Sequence, residues 1–242
     1  MSYLVYISVF ISVIISGSTV LFVSIKQKSL KLILSFSGAY LFGISVLHLI
    51  PEIYSTGDHS IGIYILAGFL LQILMEFFSE GIEHGHIHVH AHAEKAFPAT
   101  MMIALSIHSF LEGMPLEKLN SPAGNDPFNR NSLLVGIIMH NIPIAIALMT
   151  MLIQSNISKR NSIFWLCVFA LMTPLGTFTA HLISANTVMD LSLYTNKIMA
   201  VVIGIFLHIS TTILFESSEN HRFNFLKFLI ILLGAGAAMI PF

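Results

Sequence analysis

His108-Ser109-Phe110-Leu111-Glu112-Gly113 lies inside an apolar run, 97–117, of the length a bilayer crossing needs. A histidine and a glutamate four residues apart share one face of a helix, one turn above each other. Ionisable groups at membrane depth are costly, and where they occur they face a bundle interior or a water-filled path. The next apolar run holds a second histidine motif, His140-Asn141-Ile142-Pro143. Together the two runs offer imidazole, carboxylate, hydroxyl and amide groups to a single metal ion. Transport of a divalent cation is the first expectation.

Composition places these motifs in a membrane. The 242 residues are 55% apolar and only 10% charged, with a mean hydropathy of +0.85, whereas a soluble domain carries about 25% charged residues. A water-soluble fold of this size cannot hide so much apolar surface; a polytopic membrane protein need not. A net charge of −1 offers no feature for nucleic acid, and the single Cys167 excludes an internal disulfide or a multi-cysteine zinc site. The 12 histidines outnumber the 11 lysines and arginines together, which calls for a physical reason.

Eight segments reach roughly the 20 residues of a helical span: 3–25, 31–52, 60–80, 97–117, 132–153, 161–183, 197–216 and 225–241. Between them lie lysines, the turn-forming runs Gly57-Asp58 and Pro122-Ala123-Gly124-Asn125, and a histidine-rich tract. Loops one, three, five and seven carry eight Lys and Arg: Lys26, Lys28, Lys31, Lys95, Lys159, Arg160, Arg222 and Lys227. The even loops carry three, Lys118, Arg130 and Lys197. The positive-inside rule then puts the odd loops in the cytoplasm and both termini outside a cell membrane. The first segment lacks a basic leader and reads as a retained span rather than a signal peptide. The expected architecture is all-α, one eight-helix domain over 1–242, with a cytoplasmic loop at 81–96.

The donor set narrows the metal. Neutral imidazole and carboxylate suit zinc, iron and related divalent ions, while thiolate and thioether sites lean toward copper(I). Pro115 and Pro143 deprive the carbonyls of Leu111 and Met139 of their usual amide donors, which is tolerated at depth beside a cavity. Each residue also has a plainer reading. A lone intramembrane histidine can simply bond a helix carbonyl, and an intramembrane serine commonly bonds its own helix. The His108–Glu112 pair argues against the plain reading, because a buried carboxylate needs a cation or a proton.

The His-Ser-x-x-Glu-Gly run of span four and the His-Asn-x-Pro run of span five resemble the Zrt/Irt-like (ZIP) family of divalent-metal transporters. Phe36-Ser37-Gly38-Ala39-Tyr40-Leu41-Phe42 leading to His48-Leu49-Ile50-Pro51-Glu52, Thr173-Pro174-Leu175-Gly176, and Gly204-Ile205-Phe206-Leu207-His208 leading to Glu216 are similar to its other spans. The resemblance covers nearly the whole chain. It implies eight spans, transport rather than catalysis, and no prosthetic group. The metal is the substrate, with zinc expected first and iron, manganese or cadmium fitting the same donors. It further implies metal ligation by His108, Ser109, Glu112, His140 and Asn141. Relatives often carry a bridging glutamate four residues after the span-five histidine; here that position is Ile144, so a mononuclear site is expected. By the same resemblance, spans one, four, five and six move against spans two, three, seven and eight, and the latter group makes a homodimer contact.

Residues 83–94 alternate histidine with small or apolar residues between acids. His84, His86, His88, His90 and His92 form a metal-binding tract on composition, either as a flexible loop or as a strand with its imidazoles on one face. Ligands without pre-ordering bind weakly and exchange fast. His48 with Glu52, His181, His208 and Glu216 are further candidates along a metal path, each with a plain hydrogen-bonding alternative. Two other functions stay open. A membrane-embedded metalloenzyme would be expected to show a His-Glu-x-x-His helix, and no such run exists. A metal sensor without flux would share every feature above.

Overall fold

In the computed structural model, residues 3–79, 98–120, 127–185, 192–215 and 225–240 are described. The histidine-rich tract, His84 to His92, and Glu216 lie outside them. Helix α1 spans Tyr3–Ser18 and tightens into a 3₁₀ turn, Thr19–Leu21; α2 spans Gln27–Ile44 and α3 spans Ile50–Tyr54. Then come α4 (Ile61–Ser79), α5 (Ala99–Gly113), α6 (Pro127–Gln154), α7 (Lys159–Ala185), α8 (Ser192–Phe215) and α9 (Phe225–Ala237). Each apolar segment of the sequence forms a helix. Among the described residues, six of these helical stretches are long and apolar enough to cross a membrane.

The two shorter ones have local explanations or boundaries. Helix α5 has 15 residues and stops at Gly113, where a 3₁₀ stretch, Met114–Asn120, takes over. Pro115 cannot supply the amide that would continue the ladder to Leu111. The Met114 amide bonds the Leu111 carbonyl instead, so the acceptor that Pro115 deprives is satisfied by its neighbour. Helix α9 is described over 13 residues. A related adjustment joins α2 to α3: Pro51 sits in the first turn of α3, and the ladder widens to a π turn over Ser45–Leu49, with the Ile50 amide reaching Ser45. Inserting one residue in this way relieves the clash between a proline ring and the carbonyl four residues earlier.

The helices pack as two groups. Helices α1, α5, α6 and α7 lie against one another, and α4, α8, α2 and α9 form the other set, with α2 on α6 and α4 on α5 along the seam. Lipid tails are as apolar as leucine, so close backbone approach rather than hydrophobicity draws membrane helices together. Glycines provide it. A Cβ on Gly68 of α4 would collide with the Val201 carbonyl of α8, and one on Gly204 of α8 with the Ile65 carbonyl of α4. Gly113 of α5 and Gly176 of α7 meet the Thr173 and Phe110 carbonyls in the same reciprocal manner. Outward faces carry Ile11, Ile63, Leu70, Phe77, Leu175 and Leu232 exposed, as a lipid-facing surface should.

The interior divides into two apolar clusters. One gathers Leu105, Ile144, Leu148, Phe169 and Ile209; the other gathers Tyr40, Leu116, Leu133, Ile137 and Phe206. Along α6, Ile137 belongs to one and Ile144 to the other, with His140 between them. Along α5 and its 3₁₀ extension, Leu105 and Leu116 bracket His108 and Glu112 in the same way. The polar motifs therefore occupy the level where the two apolar clusters meet. Replacing Gly68 or Gly204 by leucine should destabilise the fold by about 2 kcal/mol or more through overpacking. Gly236→Ala, with nothing within 4 Å of its added carbon, should be silent; thermal unfolding of the detergent-solubilised chain compares them.

Candidate metal centre

His108 and Glu112 project from the last turns of α5, and His140 from the middle of α6. His108 Nε2 lies 3.0 Å from Glu112 Oε1, and His140 Nε2 lies 3.8 Å from the same oxygen. The two imidazole rings stand 6.0 Å apart, centroid to centroid, at 80°. One donor atom from each residue falls within 4.8 Å of the others, and all three side chains are fully buried. Donors around a tetrahedral zinc are separated by roughly 3–4 Å, given bonds of about 2.0–2.2 Å. The three groups thus need only small rotamer adjustments to close on one cation. Among the described residues this is the one such cluster of His, Cys, Asp and Glu.

Asn141 adjoins His140, is fully buried, and has neither its amide oxygen nor its nitrogen in a hydrogen bond. An unsatisfied buried amide costs about 1–3 kcal/mol, and a cation beside its carbonyl oxygen would remove part of that cost. Ser109 is placed differently. Its hydroxyl is 2.7 Å from that of Thr173 on α7, so in this conformation it ties α5 to α7. Ile144 occupies the position one turn beyond His140 and is packed in the apolar core.

The outlying candidates are dispersed. His48, on the π turn, has Nε2 3.1 Å from the Ala238 carbonyl and holds α2 to the end of α9. Glu52 is one turn on, half-buried. His208 of α8 pairs with Glu76 of α4 at 2.5 Å, with Phe69 edge-on to its ring at 4.9 Å. His181 of α7 pairs with Glu117, just past the end of α5, at 2.9 Å. Asp58 accepts the Ser60 amide at 2.8 Å; hydrogen bonds from the Ser60 hydroxyl and amide hold its carboxyl below the usual range. It closes the turn before α4. Glu117 escapes a reading of the sequence, because no spacing rule links it to a histidine 64 residues away. The one available signal was a second carboxylate in the same apolar run, two residues beyond Pro115.

Apolar helices of spanning length around a buried His-Glu-His cluster define a membrane protein with a site suited to a divalent cation. The family model described as ZIP zinc transporter matches residues 98–240, more than half of the chain. The protein belongs to the ZIP zinc transporter family, whose members transport divalent metal ions. Comparison with the curated proteins finds no match.

The Ser109–Thr173 contact makes a separable prediction. Ser109→Ala and Thr173→Val should each destabilise, while the double variant should cost less than their sum, a coupling of roughly 0.5–1 kcal/mol. Denaturation of all four chains in one detergent measures it.

Proposed function

We propose that the protein carries divalent metal ions, zinc foremost, into the cytoplasm by alternating access around one mononuclear site. His108, Glu112 and His140 are the ligands, with Asn141 beside them and Ser109 available from the same turn as His108. The observation that carries this reading is the convergence of two imidazoles and one carboxylate, fully buried, at the boundary between two apolar clusters. Nothing but a proton or a cation compensates a carboxylate in such surroundings. Oxygen and nitrogen donors favour zinc and its neighbours over copper(I), and the family's description favours zinc. Three protein ligands, with water or Asn141 completing the shell, hold an ion without trapping it.

The packing supports movement of the site as a unit. Both ligand-bearing helices, α5 and α6, belong to the same packed group as α1 and α7. Sliding that group along α2, α4, α8 and α9 would carry the three ligands together, leaving their mutual geometry intact while the apolar plug at each end changes. The second group, which holds none of the three ligands, is the natural stationary frame and the face for a homodimer. We place the chain as one eight-span domain in the cell membrane with both termini outside, on the excess of Lys and Arg in the odd loops. His84, His86, His88, His90 and His92 then lie on the cytoplasmic side, where they receive or buffer released metal. Protons compete with metal for His108, His140 and Glu112, so release can couple to pH.

Purified protein in liposomes provides the test. Zinc accumulation should fall to background in His108→Ala or Glu112→Ala and persist after deletion of residues 84–92. Tight zinc binding without flux would instead identify a sensor. With that tract deleted, equilibrium dialysis should find one tightly held zinc per chain; two would restore a binuclear centre despite Ile144. Competition among zinc, iron(II), manganese(II) and cadmium(II) ranks selectivity.

A further inference from the structure

Helices α5 and α7 meet at a constant register. Ser109 bonds Thr173 at 2.7 Å, the Thr177 hydroxyl donates to the Gly113 carbonyl at 2.8 Å, and Glu117 meets His181 at 2.9 Å. Each pair is separated by 64 residues, and each successive pair is four residues further along both helices. The three rungs form one polar stripe. It starts beside His108 and runs past Glu112 toward the end of the bundle where α5 gives way to its 3₁₀ extension.

The outermost rung differs from the other two in chemistry and exposure. Hydroxyl hydrogen bonds suffice to fasten the inner rungs, and those are buried. The last rung instead holds an imidazole and a carboxylate, with side chains 38% and 16% exposed. This is the donor chemistry of the central cluster, carried by side chains that are partly exposed rather than enclosed in the core. Five residues separate Glu117 from Glu112, a rise of about 8–10 Å for helical or 3₁₀ chain. That distance is too great for the two sites to share an ion, and short enough for one transfer.

We propose that Glu117 and His181 form a second, weak, exchangeable site for a divalent cation at the mouth of the path to His108, Glu112 and His140. This rests on the reading of that central cluster as the transport site. With only two protein ligands, the outer site binds loosely, raises the local concentration of the ion, and hands it inward to the central cluster. On the orientation proposed above, it faces the exterior and serves loading.

Zinc itself is the probe, in two measurements. The first is calorimetric binding to the full chain with the central cluster disabled by His108→Ala and Glu112→Ala and with His84, His86, His88, His90 and His92 changed to alanine. A residual equivalent of weak zinc binding is expected, which His181→Gln weakens roughly tenfold or more and His181→Cys retains. Glutamine preserves a hydrogen bond to Glu117 without a good zinc ligand, while cysteine supplies a ligand without that bond. The second measurement is uptake at low external zinc in otherwise unaltered chains. His181→Gln should slow it several-fold, about as much as His181→Ala, with His181→Cys close to the parent. Residual binding that is absent or indifferent to His181→Gln overturns the outer site, as does uptake that glutamine rescues. Uptake indifferent to His108→Ala and Glu112→Ala would defeat the central reading instead, whatever binding the first measurement finds.

Discussion

A carboxylate fully removed from water, in a chain that must sit in a bilayer, constrains everything around it. Glu112 is 0% exposed, with His108 3.0 Å away and His140 at 3.8 Å. Burying an isolated carboxylate costs several kcal/mol even after relaxation, so the fold must supply positive charge or accept it from a passing cation. The two histidines beside it carry such charge only when protonated. The apolar clusters above and below keep water from compensating the carboxylate, and so leave the site dependent on what the path delivers.

That dependence explains features that otherwise look like defects. Helix α5 ends early, at Gly113, because Pro115 breaks its ladder. Gly113 and Gly176 allow α5 and α7 backbones to approach within the reach of short hydroxyl side chains. Ser109, Thr173 and Thr177 then fasten the pair in a register that a one-turn slip would destroy. The same close approach recurs between α4 and α8 through Gly68 and Gly204. In a bilayer, where burying apolar surface gives no advantage between helices, such contacts determine which helices belong together.

Much of this was legible in the residues. Hydropathy marks every helical segment, because a backbone in hydrocarbon has no alternative to the helix. The i, i+4 spacing puts His108 and Glu112 on one face, and the two motifs together identify the ZIP family, whose model covers residues 98–240. Helix ends were less legible. The shortened α5 and the π turn at Ser45–Leu49 both arise from prolines whose local resolution depends on neighbouring turns. The bond between Ser109 and Thr173 was not legible either, since it joins two helices 64 residues apart. Glu117 carries no short-range pattern that pairs it with a histidine, since its partner lies on another helix.

The sequence by itself determined a helical membrane protein, the family it belongs to, and the donor atoms available to a cation, since composition and short-range spacing carry those properties. Only the tertiary structure decided that His140 meets the His108–Glu112 pair within 4.8 Å. It also decided that Glu76 belongs with His208 and Glu117 with His181. The reason is physical: helical periodicity orders residues within one turn of each other, whereas the relative rotation and height of two helices depend on glycine contacts and side-chain packing summed over their whole length.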